Sequence, residues 1–91
     1  MIENMSLRTE ALPIVRSSLA LKHNALEFNL RRYRERLTGF EQQHQMTSEQ
    51  FVERFKASEL GDDPEWFEWE FVLEAAKETE RQLQLLESVK L

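Results

Sequence analysis

Cysteine is absent from the chain. That excludes disulfides, a thiol nucleophile and thiolate metal sites, and it fits a reducing compartment. Glycine and proline occur only twice each, too few to turn a many-stranded β fold. No apolar run exceeds three residues, as in Leu19-Ala20-Leu21, so nothing reads as a membrane span or the core of a secretory signal. A cytosolic location is expected. There is no glycine-rich loop to cradle phosphate, and no serine sits in a nucleophile motif with a histidine.

What is present suits one small helical domain. The 91 residues are near the lower limit for a core that stands alone. A charged fraction of 32% beside 41% hydrophobic residues favours long amphipathic helices over disorder. The net charge of −5 conceals an asymmetry. Residues 1–45 hold seven Lys/Arg against five Asp/Glu, a balance of +2, and residues 46–91 hold five against twelve, a balance of −7. Basic and acidic halves of this kind pair internally before any outside partner is needed.

Hydrophobic spacing predicts three helices after a loose arm over residues 1–12. Leu12, Leu19, Leu26, Tyr33 and Phe40 recur every seven positions, with Val15, Leu30 and Leu37 between them. This predicts a helix over about 13–44, with Pro13 tolerated in its first turn. Thr47 and Gln50 have capping-box spacing, and Met46 and Phe51 that of a hydrophobic staple, so a short helix is expected over 48–58. Gly61 suits its left-handed terminator. Asp63 and Pro64 then start a third helix over 64–89, with Trp69, Val72, Leu73, Ala76, Leu83 and Leu86 on its main face. The expected fold is all-α: a long antiparallel hairpin with the short helix near its turn, dimerising into a four-helix bundle.

Dimerisation is expected because each long helix carries apolar residues on a second face. At about 100° per residue, Ile14, Leu21, Ala25 and Phe28 fall roughly 120–160° from the main stripe of the first helix. Phe67, Phe71, Leu85 and Val89 depart similarly from the main face of the third. A hairpin has one seam and cannot bury both stripes. Ile14, Leu21, Ala25, Phe28, Leu85 and Val89 therefore form a candidate dimer or partner surface. Within "DDPEWFEWEFV" (62–72), Trp69 is expected in the seam and Trp66 at its edge. Phe67 and Phe71 are expected under Phe51 and Phe55 as a core corner. If they lie open, Trp66, Phe67 and Phe71 are a candidate partner patch.

Catalytic signals are thin. His23 and His44 are roughly 30 Å apart along one helix and cannot share a site within the chain. Glu41-x-x-His44 has the spacing used in di-iron bundles, but those need the motif twice, so both residues are expected near a helix end facing solvent. Glu65-x-x-Glu68 resembles half of the magnesium site of helical nucleotide pyrophosphatases, whose complementary Glu-x-x-Asp is missing from the other helices. These acids suit a helix first turn. A carboxylate–metal enzyme would need Glu41, His44, Glu65 and Glu68 in one pocket. The expectation is no enzyme, metal or cofactor. Arg31, Arg32, Arg34 and Arg36, in "RRYRER", have the look of a phosphate-binding helix. Tyr33 falls on the core stripe and the chain is acidic. Pairing with Glu65, Glu68, Glu70 and Glu74 is therefore expected, and a nucleic-acid contact is the disfavoured alternative.

Residues 20–87, and above all "SEQFVERFKASELGDDPEWFEWEFVLEA", resemble a family of short helical proteins of bacteria and archaea, some labelled antitoxins encoded beside small toxin-like proteins. The resemblance implies that the chain binds and neutralises a cognate toxin-like protein, and it brings no catalytic residues. Operon autoregulation gains no support, since no DNA-binding module is recognisable. Relatives tend to have a glycine before the second helix, where this chain has Gln45-Met46. The alternative expectation is a structural or adaptor homodimer with no toxin partner.

Overall fold

Two strong stop signals divide the polypeptide into three α-helices, and both come from residues other than glycine. The computed structural model describes residues 8–90. Helix α1 spans Leu12–His44, α2 spans Ser48–Lys56 and α3 spans Pro64–Glu87. Gln45 ends α1 in the left-handed conformation at φ 55°, and the Met46 N–H reaches back to the Glu41 carbonyl. Ser58 does the same for α2 at φ 58°. Its N–H bonds the Phe55 carbonyl and that of Glu59 bonds the Arg54 carbonyl, the pair of bonds that defines a Schellman ending. Ser58 is thus the terminator expected at Gly61; Gly61, at φ 77°, shapes the linker instead.

The helix starts follow the sequence signals. Thr47 accepts from the Gln50 N–H while the Gln50 side chain accepts from the Thr47 N–H, a complete capping box. Asp63 accepts from the Glu65 N–H, ahead of Pro64. The Glu41 carboxylate accepts from the Ser48 N–H at 2.8 Å, so α1 itself satisfies a free donor of α2. Most of the arm expected over residues 1–12 lies outside the described residues. Its described end, Thr9–Ala11, is a 3-10 turn, and Leu12 already belongs to α1.

Helices α1 and α3 pack antiparallel. His44 meets Glu65 near the turn, Phe40 meets Trp69, and His23 meets Glu87 at the open end. At about 1.5 Å per residue α1 is roughly 50 Å long and α3 roughly 36 Å, and with His23 level with Glu87 about the first three turns of α1 extend past α3. The molecule measures 56 × 27 × 19 Å with a radius of gyration of 18.6 Å, against about 12 Å for a compact chain of this length.

The seam holds two small clusters. Leu26, Leu30, Ala76 and Leu83 form one; Phe40, Met46, Phe51, Trp69 and Val72 form the other, at the turn. Tyr33 and Leu37 pack against both. Trp69, fully buried, is sandwiched between Phe40 of α1 (centroids 5.4 Å apart) and Phe51 of α2 (4.2 Å), and its Nε1–H donates to Ser48 Oγ at 3.0 Å. One side chain therefore ties all three helices. Trp69→Ala is expected to cost about 3–5 kcal/mol, most of the stability of so small a domain, read as loss of the cooperative urea transition in circular dichroism. Gln45→Gly removes a left-handed non-glycine residue and should raise stability by about 0.5–1 kcal/mol in the same measurement.

Candidate interaction surface

The turn end concentrates aromatic and ionisable side chains, and its chemistry is spent internally. Eight residues take α3 from its Asp63 cap through Trp66 and Trp69 to Glu70 and bring it against the last turn of α1. His44 is half-buried there, its ring 4.6 Å from Trp66 and 5.6 Å from Trp69, and Nε2 donates to the Glu65 carboxylate. It does not face solvent as expected. His44 follows Leu30 and Leu37 at intervals of seven, so its phase places it on the seam; a polar residue near a helix end concealed that signal. Trp66, half-buried, donates from Nε1 to the Leu60 carbonyl at 2.9 Å.

Glu41, His44, Glu65 and Glu68 do not form one pocket. His44 and Glu65 meet, Glu41 caps α2, and Glu68 pairs with Arg36. Among the described residues no three His, Asp or Glu side chains come together as a group able to hold a metal. At the open end His23 directs Nε2 to Glu87 at 3.0 Å and Nδ1 to Glu27 at 3.5 Å, a second exposed clasp between α1 and α3.

The arginine run divides. Arg34 bonds Glu80 at 2.9 Å and Arg36 bonds Glu68, whereas Glu74 is paired with Lys77. Arg31 and Arg32 instead lie over the Phe28 ring, 5.9 and 5.8 Å from its centroid. The expected pairing of all four with Glu65, Glu68, Glu70 and Glu74 thus holds for one ion pair. Arg34 and Arg36, two residues apart on α1, point to opposite flanks of the seam, and the partner acid is set by the level of α3, not by its overall charge.

The expected cover of Phe67 and Phe71 is also not what forms. Phe51 turns inward onto Trp69, and α2 brings only the edge of Phe55 to Phe67, centroids 5.5 Å apart. Phe67 remains 56% exposed and Phe71 66%. A nine-residue helix has one buried stripe to give, and the tryptophan takes it. At the other end Leu21 is 71% and Phe28 50% exposed, with Ile14, Leu85 and Val89 also open and Ala25 exposed beside them.

These residues share one side of the hairpin. Relative to Leu26, the α1 set lies roughly 100–160° around in one rotational sense, as do Phe67, Phe71 and Leu85 relative to Leu83. Two observations place both stripes on the same side. Arg36 and Glu68 bond across that flank, and a groove there is lined by Lys22, Leu26, Gln82, Leu85, Leu86 and Val89. The opposite flank carries the Arg34–Glu80 and His23–Glu87 bonds and a cleft lined by Glu27, Arg31, Arg34, Glu35 and Thr38 beside Leu30 and Leu83. The hairpin has an apolar side and a charged side.

Glu78 borders the apolar side. It accepts from Arg81 at 2.7 and 2.9 Å and from Gln82 at 2.9 Å. The Arg81 hydrogen bonds, reinforced by Gln82, pull its carboxyl from 4.5 down to about 2. Its charge therefore favours the fold above pH 4.5, and that contribution disappears as pH falls through about 2. Carbon-detected NMR titration should find Glu78 ionised at pH 3, and Arg81→Gln should return it toward 4.5.

No protein-family model, curated protein or solved structure matches the chain. Among the described residues no helix is long and apolar enough to cross a membrane.

Proposed function

We propose that this chain is a non-catalytic helical interaction module that works by docking the apolar side of its hairpin onto another protein. One observation carries the reading: among the described residues, the exposed large hydrophobics, Ile14, Leu21, Phe28, Phe67, Phe71, Leu85 and Val89, belong to the same side of the molecule. Isolated exposed apolar residues are ordinary, but a shared apolar side with a charged reverse marks a contact surface. The polar groups that would serve catalysis are engaged in capping and clasping the helices.

The partner implied by the resemblance is a cognate small toxin-like protein, which the module would neutralise by occupying it. Leu21→Asp/Phe28→Asp tests the surface without touching the seam, since both side chains are at least half exposed. The wild-type chain, co-expressed with the product of the adjacent gene, should co-purify with it and relieve its growth arrest. The double variant should bind at least tenfold more weakly while keeping its helical circular dichroism. Equal capture by both chains contradicts the docking surface; an adjacent product that is neither toxic nor bound contradicts the toxin partner. A structural or adaptor homodimer is the second reading; it uses the same side and needs no toxin.

A further inference from the structure

The cross-seam pairs fix which residues of α1 and α3 stand level. His44 is level with Glu65, Phe40 with Trp69 and His23 with Glu87. By interpolation Gly39 is level with Phe71, Arg32 with Glu78 and Ala25 with Leu85. On the apolar side these residues form two series at intervals of seven: Ala25, Arg32 and Gly39 on α1; Leu85, Glu78 and Phe71 on α3. Layer by layer, a small apolar residue is matched by leucine, a cation by an anion, and a bare stretch of backbone by a phenyl ring. Both series point out of the hairpin, so the cross-helix match is not made within one chain; there Glu78 is held by Arg81 and Gln82, and Arg32 lies over Phe28.

We infer that the apolar side is occupied by a second copy of this chain, with α1 of each copy lying along α3 of the other about a two-fold axis parallel to the hairpin's length. This rests on the reading that the apolar side docks a protein, and it names the partner. A two-fold axis in that direction keeps every level and exchanges α1 for α3, which brings the three matched layers together twice. A two-fold axis across the hairpin does the opposite. It reverses the levels, so the three layers separate, and it sets the basic α1 on α1 and the acidic α3 on α3. Like charges so placed repel.

Two further observations support a second copy. Gly39 interrupts a long helix at a cost of about 1 kcal/mol relative to alanine, yet nothing in its own chain requires it: a Cβ built there meets no atom within 4 Å. The ring of the other copy's Phe71 is what needs that space. The chain also exposes 7168 Å², against about 5,600 Å² for a compact monomer of its mass. The excess is enough to supply the roughly 800 Å² that each partner buries in a standard stable interface.

The absence of cysteine permits a direct test. Ala25→Cys and Leu85→Cys, both at exposed positions, are made as separate full-length chains and mildly oxidised alone and mixed. The mixture should give a disulfide-linked dimer at least tenfold more abundantly than either variant alone. Arg32→Glu should weaken self-association at least tenfold, and Arg32→Glu/Glu78→Arg should recover most of it. Self-linking of Ala25→Cys, or no link in the mixture together with no effect of the charge reversals, overturns the inference. If the adjacent gene product is still captured through Leu21 and Phe28 in that case, the docking reading survives; if that capture fails too, both fall.

Discussion

A pair of packed helices offers a single seam, and this constraint governs the molecule. Each helix can bury one stripe against the other, and both stripes here are filled: Leu26, Leu30 and Phe40 from α1 against Trp69, Val72, Ala76 and Leu83 from α3. Any further apolar residue must then be covered by α2 or left open. Helix α2 is nine residues long and is committed through Phe51 to Trp69. The open apolar side follows from this arithmetic of surfaces. So does the elongated shape, since nothing folds back over the open end.

The Trp69 corner makes the hairpin hold one register. Stacked between Phe40 and Phe51 and hydrogen-bonded to Ser48, it fixes α3 against α1 at the turn. His44–Glu65 and, at the far end, His23–Glu87 hold the same alignment. Register matters to the proposed function because the levels of α1 and α3 decide whether Arg32 stands beside Glu78 and Gly39 beside Phe71. A slip of one turn would carry all three outward layers out of match while leaving the seam apolar. The inward corner thus positions the outward surface, although the two share no residue.

Much of this was legible in the sequence where the signal is local. The capping box of Thr47 and Gln50, the Asp63-Pro64 start and the sevenfold spacing of the seam residues each depend on a few neighbours along the chain. That Leu21 and Phe71 face away from the seam follows from helical phase alone; what covers them, or leaves them open, does not. The signals that failed depend on how separate elements meet. Phe51 was available to either Phe67 and Phe71 or Trp69, and only the tilt of α2 decides between them. Gly61 had the right residue type for a terminator, but Ser58 occupies the position where the helix actually ends. Arg31 and Arg32 point away from the seam, out of reach of the acids that composition alone would assign them, and their cations rest on Phe28 instead.

The apolar side is expected to be covered in solution by a second copy. Sedimentation equilibrium from 1 to 100 µM, at physiological salt, measures this most directly. The mass should rise to twice the 10.9 kDa of the chain, with dissociation shifted to higher concentration by Arg32→Glu. A single 10.9 kDa species throughout, for a chain that remains folded and unfolds cooperatively, would contradict it.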